Sequence, residues 1–229
     1  MIVLTGASGG IGKVILPYLL DIDEVIGIFN KTQIQHLGRN NLVCEQLDLE
    51  NSIEIRAFVN KFKNKFKSSR VIVIHFAAVK IDGLVANYSE TDWDKMMSVN
   101  LKGNFLLTQA LLPIMVNKKW GRIIHISSRG GECGDIGTIA YSTTKTGLIG
   151  MSRVLAKEYA RFNITSNVLA LGHFESGLYS KLSDTLKETL INQIPSKTLG
   201  QTADVVRAIK FLIESQCVNG ATINIDGGI

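Results

Sequence analysis

The chain has 229 residues, 45% of them hydrophobic and 20% charged, with only three prolines. That length suits one well-buried domain over 1–229, and the composition excludes disordered and fibrous classes. The formal net charge of +5 raises a nucleic-acid partner, and where the lysines fall decides against it below.

Short apolar runs at 1–4, 24–29, 42–47, 71–76, 122–126, 165–170 and 222–225 read as strands. Between them, 11–20, 52–66, 93–116, 140–161 and 203–214 carry helical periodicity. Most strands are near-continuous Val/Ile/Leu runs, the pattern of a parallel sheet covered on both faces. Strand–helix alternation predicts an α/β fold: a single-domain, Rossmann-type doubly wound parallel sheet of about seven strands. Its ligands are expected beyond the carboxyl ends of the strands.

The first strand runs into Thr5-Gly6-Ala7-Ser8-Gly9-Gly10-Ile11-Gly12, and a helix follows at once. Glycines let such a turn close tightly and bring its backbone near a pyrophosphate, which helix N-terminal amides then meet. A strand–turn–helix context points to dinucleotide binding, although glycines also serve ordinary turns. At the end of the second strand an acidic residue would hold a ribose and repel a 2′-phosphate. This chain has Asn30 and Lys31 there, while Asp23 and Glu24 lie at the strand's other end. A donor and a positive charge favour NADP(H) over NAD(H); alternatively Lys31 points into solvent.

Within 52–66, Phe58, Phe62 and Phe66 recur every four residues among Lys61, Lys63, Lys65 and Lys67. This is an amphipathic helix with aromatics inward and lysines in water, so no nucleic-acid partner is expected. Lys118, Lys119 and Arg122 are likewise read as solvated surface cations, alternatively able to meet an acidic substrate or carrier. No stretch approaches the roughly 18–20 apolar residues that span a bilayer, and the N-terminus lacks a signal-peptide pattern. Cys44, Cys133 and Cys217 are scattered, without a C-x-x-C pair. A cytoplasmic protein with reduced thiols and no membrane partner is expected.

Tyr141 and Lys145 are four residues apart on a helical segment, hence on one face. A phenol of pKa about 10 is a poor base at neutral pH, and moving it three units takes roughly 4 kcal/mol of preferential phenolate stabilisation. A partly buried Lys145 beside an oxidised nicotinamide is suited to supply it. Ser127 and Ser128 end the strand at 122–126, at the ligand-facing edge. As strand neighbours, Ser127 and Ser128 face opposite ways.

These motifs together resemble the short-chain dehydrogenase/reductase family, nearest to its 3-oxoacyl-carrier-protein reductases. T-G-x-x-x-G-x-G matches the family's cofactor turn, implying that Thr5, Gly6, Ser8, Ile11 and Gly12, with Gly10 between them, line the pyrophosphate and ribose. Ser128 precedes Tyr141 by the family's thirteen residues, and Asn100 in Val99-Asn100-Leu101-Lys102-Gly103 matches its fourth catalytic residue. The resemblance implies that Ser128 and Tyr141 hold the substrate carbonyl and Tyr141 donates the proton. Lys145 would hold the nicotinamide ribose, and Asn100 a water linking Lys145 to solvent. Asp48 and Leu49 would contact the adenine; a capping role for Asp48 is the competing reading. The usual N-N-A-G becomes His75-Phe76-Ala77-Ala78, whose small residues Ala77 and Ala78 still permit close approach. The usual P-G becomes Leu171-Gly172, after which Phe174 and Ser176 would meet the carboxamide and 177–195 would form a mobile lid. No metal is expected, since the four histidines show no ligand spacing. The implied function is NADP(H)-dependent reduction of a carbonyl, such as a 3-oxoacyl thioester, to an alcohol, by a homo-oligomer (tetramer or dimer) joined through the helices around Asn100 and Tyr141. An NAD-dependent alcohol or sugar dehydrogenase and a non-catalytic dinucleotide-binding regulator remain open alternatives.

Overall fold

The structure, a computed structural model, describes residues 1–35, 37–175 and 183–229. Among the described residues seven strands form one parallel sheet: β1 (Ile2–Thr5), β2 (Val25–Phe29), β3 (Leu42–Gln46), β4 (Val71–His75), β5 (Gly121–Ser128), β6 (Ile164–Leu171) and β7 (Thr222–Ile225). Their order is β3-β2-β1-β4-β5-β6-β7, so the winding reverses between β1 and β4. At that reversal the loops leave the sheet in opposite directions and open a crevice.

Period-two alternation divides the sheet's side chains between two cores. Val3, Val71, Val73 and Ile123 face the side packed by helices α2 (Ser52–Lys61), α3 (Lys63–Ser68) and α5 (Gly103–Lys118). Ile2, Leu4, Ile72, Ile74, Ile124 and Ile126 face the side packed by α1 (Gly12–Leu20) and α8 (Thr202–Glu214). Because both faces are covered, β1 and β6 are buried at every position. The remaining helices are α4 (Glu90–Met97), α6 (Ile139–Tyr159) and α7 (Asp184–Gln193).

Several expectations need correcting in detail. The helix expected over 52–66 breaks at Phe62, which leaves helical geometry (φ −98°, ψ 9°). The three phenylalanines nevertheless remain buried and in mutual contact, with centroids 5.3–6.2 Å apart. The helical segment placed at 93–116 starts earlier, at Glu90, where Ser89 accepts a hydrogen bond from the Asp92 amide. It then passes through one π-helical stretch, Ser98–Lys102, before α5. Arg122 is not a surface cation: it is buried, donating to the carbonyls of Ile213, Gly121 and Asn163 and lying over the Trp120 ring. Helix α7 was not foreseen in the lid segment. Ser183 caps it through the Leu186 amide, and it buries no residue, so apolar periodicity left little trace. Of that lid, 177–182 lie outside the described residues, as does the expected carboxamide contact Ser176.

Candidate active site

The crevice is a cleft of about 850 Å³ running from the glycine turn to the ends of β5 and β6. Two glycines shape its floor. Gly6 has φ +68°, and a Cβ there would lie 2.8 Å from the Ala77 backbone; a Cβ on Gly12 would lie 2.2 Å from the Gly6 carbonyl. Neither position admits a side chain, and this lets the turn, α1 and the loop after β4 close on one another. Ile11 precedes α1 without any side-chain cap, and the Lys13, Val14 and Ile15 amides donate to the Gly9 and Ile11 carbonyls, so the amides left for an anion are those of Gly10, Ile11 and Gly12. Gly6, Ser8, Gly10, Ile11 and Gly12 all line the cleft.

Thr5 does not. It is fully buried, and its hydroxyl accepts from the Phe76 and Ala77 amides, both at 3.0 Å. Its part is to tie β1 to the turn that replaces N-N-A-G, which places Ala77 and Ala78 on the cleft wall.

Asn30 and Lys31 line the cleft beyond β2. Asp23 is held at the opposite end of that strand by the Met1 ammonium, 2.5 Å away, and so cannot reach a ribose. Asp48 and Leu49 close the same end of the cleft. The capping alternative for Asp48 is overturned. Asn51 caps α2, accepting from the Ile53 and Glu54 amides, whereas Asp48 accepts only from the Glu50 amide two residues on. Open amides, a lysine and an acidic–apolar pair together suit the phosphates and adenine of a dinucleotide.

At the far end stand Ser128, Tyr141 and Lys145, all on the cleft. β5 extends through Ser128, longer than expected. Ser127 sends its hydroxyl to the Lys145 carbonyl, 3.1 Å away, while Ser128 accepts from the Gly130 amide and interacts with the Tyr141 phenol. Lys145 is buried, with Nζ 2.7 Å from the Ile126 carbonyl and 5.5 Å from the Tyr141 ring centroid. Burial lowers its pKa to about 8. Burial raises the Tyr141 phenol above its ordinary value; the Ser128 hydrogen bond pulls it down and Asp82 pushes it up. Behind Lys145, His75 and His125 stack across β4 and β5 with centroids 5.0 Å apart. Burial keeps both neutral, and the Lys145 charge helps hold His125 at about 3.

Asn100 is fully buried behind the wall, not on it. Its carboxamide brackets Val79, accepting from the amide and donating to the carbonyl, each at 2.8 Å, with a longer contact to Thr144. Gly172 lines the cleft, and its amide joins the Ile225 carbonyl, continuing the β6–β7 ladder. Phe174 also lines it, its ring buried against Gly200.

Sequence reasoning named none of Lys80, Arg129, Asp135 and Thr138, which line the cleft from two loops; His173 lines it too, as do Leu186 and Leu190 of α7, within the span expected as a lid. These residues come from distant segments without shared spacing, so no sequence pattern marks them.

The profile described as short chain dehydrogenase matches residues 1–187. The 3-oxoacyl-[acyl-carrier-protein] reductase FabG of Rickettsia conorii is 35% identical over 99% of this chain and 95% of its own. Its counterpart in Thermotoga maritima is 34% identical over 99% and 96%, and Nodulation protein G of a Rhizobium strain 35% over 99% and 95%. Among solved structures, ElxO with NADP bound superposes with a TM-score of 0.88 at 26% identity, covering 99% of this chain and 96% of that one. With a glycine turn at the sheet's reversal, a Ser–Tyr–Lys group at the other end of one cleft and this breadth of likeness, the chain belongs to the short-chain dehydrogenase family of oxidoreductases.

Proposed function

We propose that the protein is a single-domain, NADP(H)-dependent reductase that converts a carbonyl to a secondary alcohol with Tyr141 as general acid. The observation that carries this reading is the convergence of Ser128, Tyr141 and Lys145 at one end of a cleft whose other end is the uncapped glycine turn. A reduced nicotinamide, when bound, supplies the hydride.

The chain's residues do the rest. The amides of the glycine turn hold the pyrophosphate, Asn30 and Lys31 a 2′-phosphate, Asp48 and Leu49 the adenine. Gly172 and the Phe174 backbone flank the carboxamide, with Ser176 as a further partner. Lys145 holds the nicotinamide ribose. Ser128 and Tyr141 donate to the carbonyl oxygen, and Tyr141 passes its proton there as that oxygen gains charge. Since Lys145 is protonated below about 8, its ammonium stabilises the phenolate left behind at neutral pH. Asn100 fixes Val79, and proton resupply from solvent runs past it to Lys145.

The names of the FabG relatives make a 3-oxoacyl thioester the first candidate substrate, with an acidic carrier meeting Lys118 and Lys119. A homo-oligomer in the cytoplasm belongs to the same reading. It is supported by exposed Phe105 and Val154 on α5 and α6 and by a shallow groove between Leu101, Phe105, Gly147 and Met151.

The test is an NADPH-oxidation screen across 3-oxoacyl thioesters, simple ketones and quinones, repeated with NADH. Turnover with NADPH exceeding that with NADH is expected. A lack of turnover on every carbonyl with either nucleotide overturns the reading.

A further inference from the structure

We propose that Lys80 and Arg129 form an anion seat on the substrate side of Tyr141, so that the carbonyl compound taken here carries a carboxylate or phosphate a few bonds from its reacting carbon. The inference rests on the reductase reading above and narrows its substrate.

Three observations support it. First, Lys80 is held over the reacting group. Its Nζ lies 5.8 Å from the Tyr141 ring centroid, a distance close to that of Lys145, yet Lys80 belongs to a different wall of the cleft. The loop that carries it is fixed at three places: Asn100 brackets Val79, Tyr88 donates to the Ile81 carbonyl, and the Gly83 amide donates to Gly137. A cation set by its scaffold in this way suits recognition better than one on a free surface loop.

Second, both ion pairs at this wall leave the carboxylate as the more exposed partner. Long cationic side chains usually extend their heads into water. Here the cation is the less exposed partner each time: Lys80 at 31% against Asp82 at 57%, and Arg129 at 18% against Asp135 at 43%. The pairs are 3.2 and 2.6 Å long. Exposed carboxylates return to water at little cost, and such pairs contribute little, so an incoming anion can take their place. Arg129 directly follows Ser128, and a guanidinium offers two parallel donors to a carboxylate or phosphate.

Third, the opposite wall does not cancel this charge. Among the described residues α7 faces the cleft with Leu186 and Leu190. His173 is kept neutral by burial and then by Arg129 and Lys80, against the opposing effect of Asp135. Once Asp82 and Asp135 swing into water, the chamber beside Tyr141 is left positive within low-dielectric walls, which holds an anionic ligand. A 3-oxoacyl thioester has no charge beside its carbonyl and would leave this seat to its carboxylate partners.

The test compares matched carbonyls that differ in charge: acetoacetate against methyl acetoacetate, and dihydroxyacetone phosphate against dihydroxyacetone. The wild-type protein is expected to favour the anion of at least one pair by about tenfold or more in kcat/KM, less so as salt is raised. The pair that shows it identifies carboxylate or phosphate. Lys80→Met and Arg129→Met should each reduce that ratio about tenfold, and Lys80→Arg should restore it. A ratio near one in the wild type, or one unchanged in both Met variants, overturns the seat. Calorimetric binding of malonate to the protein with saturating NADP+ is read alongside. Malonate binding that weakens about tenfold in Lys80→Met, without turnover of any carbonyl, supports the seat and defeats the reductase reading. Turnover of neutral ketones with no malonate binding and no preference for either anion does the reverse. Where neither matched pair is turned over, the malonate isotherm alone decides.

Discussion

The two halves of the cleft are built by different means. At the glycine-turn end the floor is backbone: the turn itself, the open amides at the start of α1, and the tight approach of the Ala77 backbone to Gly6, with Asn30, Lys31 and Asp48 only at its rim. On the substrate side the contacts are side chains from the loops at 79–83 and 129–138, His173 and helix α7. Backbone contacts constrain residue size at fixed spacing, so the first half is rigid and its plan is written locally. Side-chain contacts tolerate change of residue type, so the second half is free to vary its chemistry without disturbing the sheet.

The largest expected effect breaks the first half. Gly12→Ala places a Cβ against the Gly6 carbonyl, 2.2 Å away before relaxation. NADP(H) binding should be lost, and stability should fall by roughly 2–4 kcal/mol as the turn shifts, measured by fluorescence titration and urea denaturation. Leu190→Ala is the matching change on the other wall, on a helix that buries nothing. It should alter stability by less than about 1 kcal/mol. Similar losses from both would erase the contrast.

Lys145→Met tests the junction of the halves. Turnover should fall on the order of 10²-fold or more, as the phenolate loses its neighbouring charge. Stability should move the other way. Lys145 has a folded pKa of about 8 against an ordinary 10.5, so between those values the unfolded chain binds more protons and unfolding becomes costlier as pH rises. At pH 7 the folded state carries that full burial penalty, up to about 3 kcal/mol at 1.36 kcal/mol per pH unit. The variant should therefore be more stable than wild type at pH 7, and the advantage should shrink from about pH 8 towards 10.5. Denaturation at pH 7 and 9.5 reads both. An advantage that grows with pH would contradict the burial argument.

A smaller effect sharpens the reading of the cofactor half. Lys31→Ala should weaken NADPH by about tenfold, the loss of one charge-assisted contact, and leave NADH nearly unaltered. Equal effects on the two would mean that Lys31 points into solvent.

The contrast between the halves also explains what could be read in the chain. The parallel sheet was legible because strands covered on both faces read as continuous apolar runs, and β7 was placed at its actual bounds. Gly6, Gly12, Tyr141 and Lys145 were legible because their spacing is imposed within one turn or one helical repeat. Thr5 and Asn100 fell in the right motifs, yet both act from behind the wall, holding the loop after β4. Spacing alone cannot separate a residue on the wall from one behind it. Lys80 and Arg129 meet at the cleft from segments about fifty residues apart, joined by tertiary structure, so nothing local announced them. Arg122 was misread because a charged residue at the start of a strand looks solvated until three carbonyls are seen to satisfy it.

The most direct test of the account is Tyr141→Phe, assayed by NADPH oxidation with the best carbonyl from the screen and by NADPH titration. Removing one hydroxyl should lower kcat/KM by roughly 10²–10⁴-fold while NADPH affinity changes by no more than about threefold. Turnover retained within about threefold of wild type would contradict Tyr141 as the proton donor and, with it, the chemistry assigned to the cleft.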